Sequence, residues 1–172
     1  MITRHHQADS TRSWARYSDC ETYRYALCRI WDDDAPRVMF VMLNPSKATE
    51  LSNDPTVGRC EKRARLLGYG AFLVTNLFAL RETDPHQMRK HPKPEGPDAN
   101  VALIDGAGWA DMTIAAWGVH GDHRDRHLAV LALFRAQTVP LHVLGLTKAG
   151  HPRHPLYLPY RAKPQPWTPA TV

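Results

Sequence analysis

Residues 38–55, with the sequence VMFVMLNPSKATELSNDP, decide the fold of this chain. The six residues of 38–43 are all apolar, which is typical of a strand buried on both faces of a parallel sheet. Pro45 cannot donate a hydrogen bond to a sheet and biases Asn44 toward an extended conformation, so a polar side chain stands at the carboxyl end of this strand. Open α/β sheets bind ligands at that position. The Asp-Pro pair of residues 54–55 then predicts a helix start, with Asp as N-cap.

The pattern of an apolar strand that ends in polar residues recurs three times further along the chain. These strands are predicted at residues 71–75, 112–116 and 141–144. Helices are predicted between the strands, at residues 55–67, 98–105 and 123–137. This alternation predicts a three-layer α/β/α fold with a mainly parallel central sheet of about four strands. The carboxyl ends of parallel strands lie on one side of a sheet, so we expect the four loops after them to form one site.

The segments outside these strands and helices give weaker signals. Residues 1–18 are polar without a period, which indicates a loose arm or a short edge element. Residues 23–31 alternate in polarity and, with residues 38–43, predict an N-terminal antiparallel hairpin. We expect residues 86–97 to form an exposed loop and the proline-rich tail from residue 159 to be irregular.

Length and composition indicate one soluble domain over residues 1–172, with a core of about residues 20–158. The chain is 43% hydrophobic and 23% charged, and no apolar run approaches the roughly 18 residues of a membrane span. The segment after Met1 lacks the apolar stretch of a signal peptide, so we expect a cytoplasmic protein without membrane contact.

The cysteine and histidine spacings do not predict a metal or a cofactor. Cys20, Cys28 and Cys60 are odd in number and widely spaced, which favours free thiols. His123 and His127 have a metal-compatible spacing on a predicted helix, but no carboxylate accompanies them, which favours a surface pair. No GxxxxGK, GxGxxG or HExxH motif occurs, so nucleotide hydrolysis, dinucleotide binding and zinc proteolysis lack their usual signatures.

The charge of the chain favours a polyanionic partner. The formal net charge is +5 at pH 7 and arginine supplies most of the excess. The alternative is a solvated basic surface, because the excess is modest and no run of Lys or Arg occurs. The basic residues of the strand-end loops that would contact phosphates are Arg81, Lys148 and Arg153. A further basic face belongs to the first predicted helix and consists of Arg59, Lys62, Arg63 and Arg65.

Amide and aromatic side chains of the strand-end loops are candidates for substrate contact. Asn44 either positions a water molecule or a substrate carbonyl, or closes a turn before Pro45. Asn76 offers one acceptor and one donor, which suits the edge of a nucleobase, or it caps the next segment. Phe78 and Trp117 either stack on a base or belong to the core.

Two histidines of the last strand-end loop are the other candidates for chemistry. His151 and His154 either bind an anion or oxyanion, or are ordinary loop residues. The repeated His-Pro sequence favours a functional role. The predicted substrate-binding set is completed by Pro45, Ser46 and His120.

The ordered segments MLNPS, NDPT, TNLFALRETDP, AAWG and GHPRHPLYL resemble the bacterial and phage family of unknown function called DUF1643, over about residues 23–158. Residues 42–46, Met-Leu-Asn-Pro-Ser, also resemble the first motif of the uracil-DNA glycosylase superfamily. The resemblance is closest to the mismatch-specific branch, which has Asn-Pro-Gly there and whose Asn places the attacking water.

Two more segments are similar to motifs of that superfamily. Residues 74–76, Val-Thr-Asn, are similar to the segment in which an Asn recognises a pyrimidine edge. Residues 151–156, His-Pro-Arg-His-Pro-Leu, are similar to the last motif, His-Pro-Ser-Pro-Leu, whose His stabilises the departing base anion and whose Leu wedges into the duplex. The chain lacks the Asp of the first motif and the Ser of the last, which has one extra residue here. Either His151 or His154 could therefore be the acting histidine.

The resemblance implies a uracil-DNA glycosylase-like fold and a monofunctional DNA glycosylase. Asn44 would place the water, a His of the last motif would stabilise the base anion, and Leu156 would contact the duplex. Such an enzyme needs a positioned water, a group that stabilises the departing base, and a pocket for the flipped base, but neither a metal nor a cofactor. Two alternatives stay open, because a fold does not imply a function. They are a non-catalytic nucleic-acid or nucleotide binding protein on the same scaffold, and a small-molecule hydrolase.

Overall fold

A computed structural model describes residues 1–169, which form one mixed β-sheet with helices on both of its faces. The eight strands within these residues are β1 (Ile2–Ala8), β2 (Thr11–Tyr17), β3 (Arg24–Ile30), β4 (Arg37–Met42), β5 (Ala71–Asn76), β6 (Met112–Ala115), β7 (Leu141–Val143) and β8 (Gln165–Pro166). The helices are α1 (Pro55–Leu66), α2 (Pro85–Lys90), α3 (Ala99–Trp109) and α4 (Arg126–Ala136), with 3-10 turns at Val119–Asp125 and Pro155–Tyr157. The order of strands in the sheet is β1-β2-β3-β5-β4-β6-β7-β8.

Strand β4 lies at the centre of the parallel part of the sheet. It pairs in parallel with β5 on one side and with β6 on the other, and β6 pairs in parallel with β7. Its side chains from Val38 to Val41 are completely buried, because helices cover both faces of the sheet at this point. The prediction that the apolar run forms a buried parallel strand is therefore confirmed.

The prediction of a mainly parallel sheet of about four strands is wrong. Four of the seven strand pairings within residues 1–169 are antiparallel. The sequence predicted a loose arm or a short edge element for the N-terminal residues. They form the long hairpin of β1 and β2 at one edge of the sheet. The tail contributes β8, which pairs with β7 at the opposite edge.

The predicted hairpin between β3 and β4 is also wrong, because β3 pairs with β5 and not with β4. Both sides of β4 are already occupied by parallel strands, so the chain after β3 must cross the beginning of β5. The crossing is tight at Gly70, whose carbonyl accepts hydrogen bonds from the N–H groups of Trp31 and Asp32 (2.9 and 3.0 Å). A Cβ atom at Gly70 would lie 2.0 Å from the Asp32 carbonyl oxygen, so only glycine fits here.

Helix α1 begins and ends close to the predicted positions. The Asp54 carboxylate accepts a hydrogen bond from the Val57 N–H (2.9 Å), and Pro55 occupies the first turn. Gly68, with φ of +83°, follows the last turn and stops the helix.

The helix predicted at residues 123–137 begins three residues late, at Arg126. Arg124 and Asp125 adopt left-handed backbone angles, with φ of 54° and 53°, which separate α4 from the preceding 3-10 turn. The sequence gives no warning of this break, because neither residue is a glycine or a proline.

The segment 86–97 is not entirely an exposed loop, because its first five residues belong to α2. Asp84 caps this short helix by accepting a hydrogen bond from the His86 N–H (2.8 Å). Helix α3 also runs further than predicted, to Trp109.

The helices divide the core into two layers, one on each side of the sheet. Helix α1 buries Val57, Cys60 and Ala64 against one face, which we call the α1 face. Helices α3 and α4 pack on the other, which we call the α3/α4 face, with Leu103 and Phe134 in its core. Within residues 1–169, no helix is both long and apolar enough to span a membrane.

Candidate functional site

A cavity of about 640 Å³ lies beyond the carboxyl ends of the parallel strands. Its lining side chains belong to the segments 43–47, 54–56, 82–85, 117–120 and 154–157. These are the four strand-end loops together with the first turn of α1. The volume is within the range of small-molecule sites, which is about 300 to 1,000 Å³.

Hydrogen bonds between the loops fix the shape of this cavity. The Glu82 N–H donates to the Pro45 carbonyl (2.9 Å), which joins the loop after β5 to the loop after β4. On the other side, the Gly118 N–H donates to the Pro152 carbonyl (2.8 Å) and joins the loops after β6 and β7. Gly118 has φ of +73°, a conformation that favours glycine at this junction.

Asn44 lines the cavity and connects two of its loops. Its side-chain nitrogen Nδ2 donates to the Glu82 carbonyl (2.6 Å) and to the Pro45 carbonyl (3.2 Å). These acceptors fix which end of the amide is the nitrogen. The oxygen Oδ1 has no hydrogen-bond partner among residues 1–169, so it is an oriented acceptor available to a ligand or a water molecule.

His154 lines the same cavity, and a hydrogen bond determines which of its ring nitrogens carries the proton. Its Nδ1 accepts a hydrogen bond from the Leu156 N–H (3.3 Å), so a neutral ring carries its proton on Nε2. Burial lowers the pKa of His154 below 6.5, and the nearby Asp54 carboxylate opposes this shift only in part. At neutral pH, His154 therefore presents an uncharged N–H donor.

The sequence did not identify three charged residues of the lining: Lys47, Asp54 and Glu82. The Asp54 carboxylate is occupied by backbone donors, since it accepts hydrogen bonds from the Ala48 and Val57 N–H groups (3.2 and 2.9 Å). The Glu82 carboxylate likewise accepts from the N–H groups of its own loop. Residues 44–54 have no periodic pattern, so the sequence could not show which of their side chains face inward.

Aromatic rings form one wall of the cavity. Trp117 lines it but is only 1% exposed, and its Nε1 has no partner among residues 1–169. The ring of Trp167, from the C-terminal tail, packs against the Trp117 ring with their centroids 5.9 Å apart. His120 also lines the cavity, and its ring centroid lies 5.5 Å from that of His86.

Some predicted site residues lie away from the cavity lining. Asn76 is buried at the end of β5, and both atoms of its amide lack a hydrogen-bond partner within the described chain. Phe78 is fully buried in the core and contacts the ring of His123 at 5.6 Å. Pro45 is buried and contributes its carbonyl to the loop contact described above.

The two histidines of the last loop have different surroundings. His151 packs against the ring of His127 at 5.4 Å and does not line the cavity, whereas His154 does. Ser46, a predicted substrate-binding residue, and Leu156, a predicted contact to the duplex, also line the cavity. The predicted phosphate-contacting residues Arg81, Lys148 and Arg153 lie outside the lining.

The cysteines are all free, as predicted. Burial raises the pKa of Cys28 and of Cys60 to about 12, so both are packing residues at neutral pH. Cys20 is exposed, and hydrogen bonds from Ser18 and Thr22 lower its pKa to about 7. Among residues 1–169, no three His, Cys, Asp or Glu side chains group closely enough to hold a metal ion.

Much of the positive charge of the chain is not available at its surface. Four of the 22 Lys and Arg residues are buried, namely Arg24, Arg29, Arg63 and Arg126, whereas Glu50 is the one buried acid among the 17 Asp and Glu. The remaining 18 basic and 16 acidic residues are nearly balanced. Fewer cations are therefore available for direct contact with a polyanionic partner than the sequence suggested.

Fold and site together define an α/β protein with a ligand-sized cavity at the carboxyl end of its parallel strands. The model of the family described as "Protein of unknown function (DUF1643)" matches residues 24–156, about three quarters of the chain. The chain belongs to this family, as its ordered motifs indicated. Searches of curated proteins and of solved structures gave no match.

Proposed function

We propose that this protein hydrolyses an N-glycosidic bond and releases a nucleobase. The observation that supports the proposal best is the presence of Asn44 and His154 in one cavity with complementary free groups. Oδ1 of Asn44 is an acceptor that can hold a water molecule, and Nε2–H of His154 is a donor that can bind a negatively charged oxygen. This combination suits a reaction in which water attacks a sugar carbon while a base departs as an anion.

In the proposed reaction, the base occupies the cavity against Trp117 and Leu43, and the sugar lies toward the opening. The water held by Asn44 forms a bond from its oxygen to C1′ of the sugar as the C1′–N bond breaks. The bonding electrons move onto the base, and Nε2–H of His154 donates a hydrogen bond to the base oxygen that gains the charge. The water loses one proton, and the released base gains one, so the products are a free base and a sugar with a C1′ hydroxyl.

A neutral histidine is suited to this role. An uncharged N–H donor stabilises charge that develops in the transition state without binding anions strongly in the ground state. Since burial lowers the pKa of His154, this neutral form persists at and somewhat below pH 6.5.

The proposal includes a relationship to the uracil-DNA glycosylase superfamily in fold and in mechanism, which rests on the motifs. Asn44 corresponds to the water-placing Asn of the first motif. We assign the role of the last-motif histidine to His154, because it lines the cavity and His151 does not. Leu156, the following leucine of that motif, also lines the cavity.

DNA is the proposed substrate by this relationship, and a free nucleoside or nucleotide is the second candidate. The nearly balanced charge of the exposed residues favours the second, because long polyanions are bound chiefly by net positive surfaces. The same cavity without catalysis would make the protein a nucleotide or nucleic-acid binding protein.

A base-release assay tests the proposal. The protein is incubated with oligonucleotides that contain uracil, mispaired thymine, hydroxymethyluracil or hypoxanthine, and abasic sites are revealed by alkali. Free nucleosides and nucleotides are assayed in parallel by chromatography of the released base. We expect release from at least one substrate and a loss of that release in His154→Gln. Binding of a substrate without release would support the non-catalytic alternative, and release that persists in His154→Gln would contradict the assigned role.

A further inference from the structure

A shallow depression of about 460 Å³ adjoins the candidate cavity. Its lining residues are Glu21, Thr22, Ser46, Lys47 and Arg81. Ser46 and Lys47 also line the cavity, so the two recesses adjoin at these two residues. A ligand whose base fills the cavity would extend into this depression.

Two cations, Lys47 and Arg81, and one carboxylate, that of Glu21, line the depression. Lys47 is exposed and forms no ion pair among residues 1–169. The guanidinium of Arg81 lies 5.2 Å from the centre of the Tyr17 ring and donates one N–H to the Glu21 carbonyl (3.1 Å), which holds it in place with N–H groups to spare. The Glu21 carboxylate forms an ion pair with Arg4, which leaves Lys47 and Arg81 without a carboxylate partner among residues 1–169.

A buried arginine increases the positive potential at this place. Arg24 is 1% exposed, and burial lowers its pKa to about 10, a shift to which repulsion by Arg81 contributes and which Asp54 opposes. Arg24 therefore stays charged at neutral pH. Its positive charge lies close to Arg81, and charges in a poorly solvated interior act over longer distances than exposed charges.

We propose that the depression binds a phosphate group, so that the substrate of the cavity is a nucleotide unit with a phosphate ester beside its sugar. Lys47 and Arg81 would contact the phosphate oxygens, because a lysine and an arginine together supply the donors that phosphate requires. This inference rests on the proposed function only for the identity of the base-bearing ligand. A free nucleotide and a DNA strand present the same phosphate chemistry.

Direct binding measurements test the phosphate site. The probes are the four common deoxynucleosides, their 5′-monophosphates and single-stranded octanucleotides of each base. Dissociation constants are measured by calorimetry for wild type, Lys47→Ala and Lys163→Ala. Lys163 is exposed and lines neither recess, so Lys163→Ala removes the same charge at a position outside both recesses.

We expect a phosphate-bearing probe to bind at least tenfold more tightly than its nucleoside. Lys47→Ala should reduce this advantage about tenfold, which corresponds to one charge-assisted hydrogen bond. Lys163→Ala should keep it. An advantage for the monophosphates assigns the site to free nucleotides, and an advantage only for the octanucleotides assigns it to a DNA strand.

The proposal is overturned if no probe gains affinity from its phosphate, or if Lys47→Ala and Lys163→Ala behave alike. Binding is measured without catalysis, so a protein that releases no base could still confirm the phosphate site. Conversely, base release with no phosphate effect would leave the proposed function intact and remove this inference.

Discussion

The two faces of the sheet hold their covering segments by different means. On the α3/α4 face, apolar side chains make most of the contact, and a single buried arginine within residues 1–169, Arg126, donates to the Leu77 carbonyl (2.8 Å). Helix α3 approaches the sheet so closely that a Cβ atom at Gly106 would lie 2.5 Å from the Met39 sulfur. On the α1 face, buried arginines donate hydrogen bonds to backbone carbonyls of irregular segments. Arg63 contacts the carbonyls of Leu158 and Ala162 (3.2 and 2.8 Å), among others.

This difference shows how an irregular segment can be buried. Residues 44–54 and 158–164 have no helix or strand to satisfy their carbonyl groups, which must be paired when they are covered. An arginine supplies five N–H groups at the end of one side chain and can satisfy several carbonyls at once. Arg29 does so for the first segment, where it donates to the Thr49 carbonyl (2.6 Å). Basic residues in this sequence are therefore partly a structural feature, and the cavity lies where these arginine-held loops meet the sheet.

The largest effect should come from removing an arginine of the α1 face. We expect Arg63→Ala to lower the free energy of unfolding by about 3 to 5 kcal/mol, because several buried carbonyl groups of the tail lose their donor and a large side chain leaves a void. Urea denaturation measures this change. Lys62→Ala, at the exposed neighbour on the same helix, loses the contact of the ammonium with the Tyr160 ring (4.9 Å) and should cost no more than about 1 kcal/mol. Equal effects of the two substitutions would show that the tail does not depend on Arg63.

A smaller effect should come from adding one carbon on the α3/α4 face. Gly106→Ala would place its Cβ within 2.8 Å of atoms of both Met39 and Leu73, so we expect a loss of about 1 to 3 kcal/mol from overpacking. Gly108→Ala is the matched control, since no heavy atom lies within 4 Å of its added Cβ. It should stabilise the protein by about 0.5 to 1 kcal/mol through helix propensity. A stabilising Gly106→Ala would contradict the close contact of α3 with the sheet.

The smallest effect should be a pH dependence of stability that arises from His154 in the cavity. Because the pKa of His154 is lower in the folded protein than its usual value of 6.5, the unfolded chain binds more protons just below pH 6.5. The free energy of unfolding should therefore decrease as the pH falls through this range. His154→Gln should show a weaker decrease, whereas the contribution of His123, whose pKa is also lowered, cancels in the comparison. Denaturation curves from pH 5 to 8 that stay parallel for the two proteins would refute the burial of a neutral His154.

The centre of the fold was predictable because its signals are local. The apolar run before Asn44 and the Asp-Pro pair before α1 fix a strand and a helix without reference to distant residues. The partner of β3 was not predictable in this way. It depends on whether β4 has a free edge, which is decided by β6, more than 80 residues after β3 in the sequence.

The candidate site was predictable where a proline marks the end of a strand or the start of a turn. Asn44 and His154 each precede a proline in a strand-end loop, and both line the cavity. Lys47 was missed because the residues around it have no period. Arg63 was assigned to a basic helix face, because the pattern of one helix does not reveal the tail, almost 100 residues later, that covers it.

The water-placing role of Asn44 is tested most directly by the rate of base release by Asn44→Ala compared with Asn53→Ala. Asn53 belongs to the same loop and also bonds through its side chain, to Arg29 and Glu61, but it does not line the cavity. On a substrate that wild type cleaves, we expect Asn44→Ala to reduce the rate about 10² to 10⁴-fold with little change in substrate affinity, as is typical of a positioned catalytic group. Asn53→Ala should retain nearly the wild-type rate. If Asn44→Ala releases the base as fast as Asn53→Ala, then Asn44 only joins two loops and does not place the attacking water.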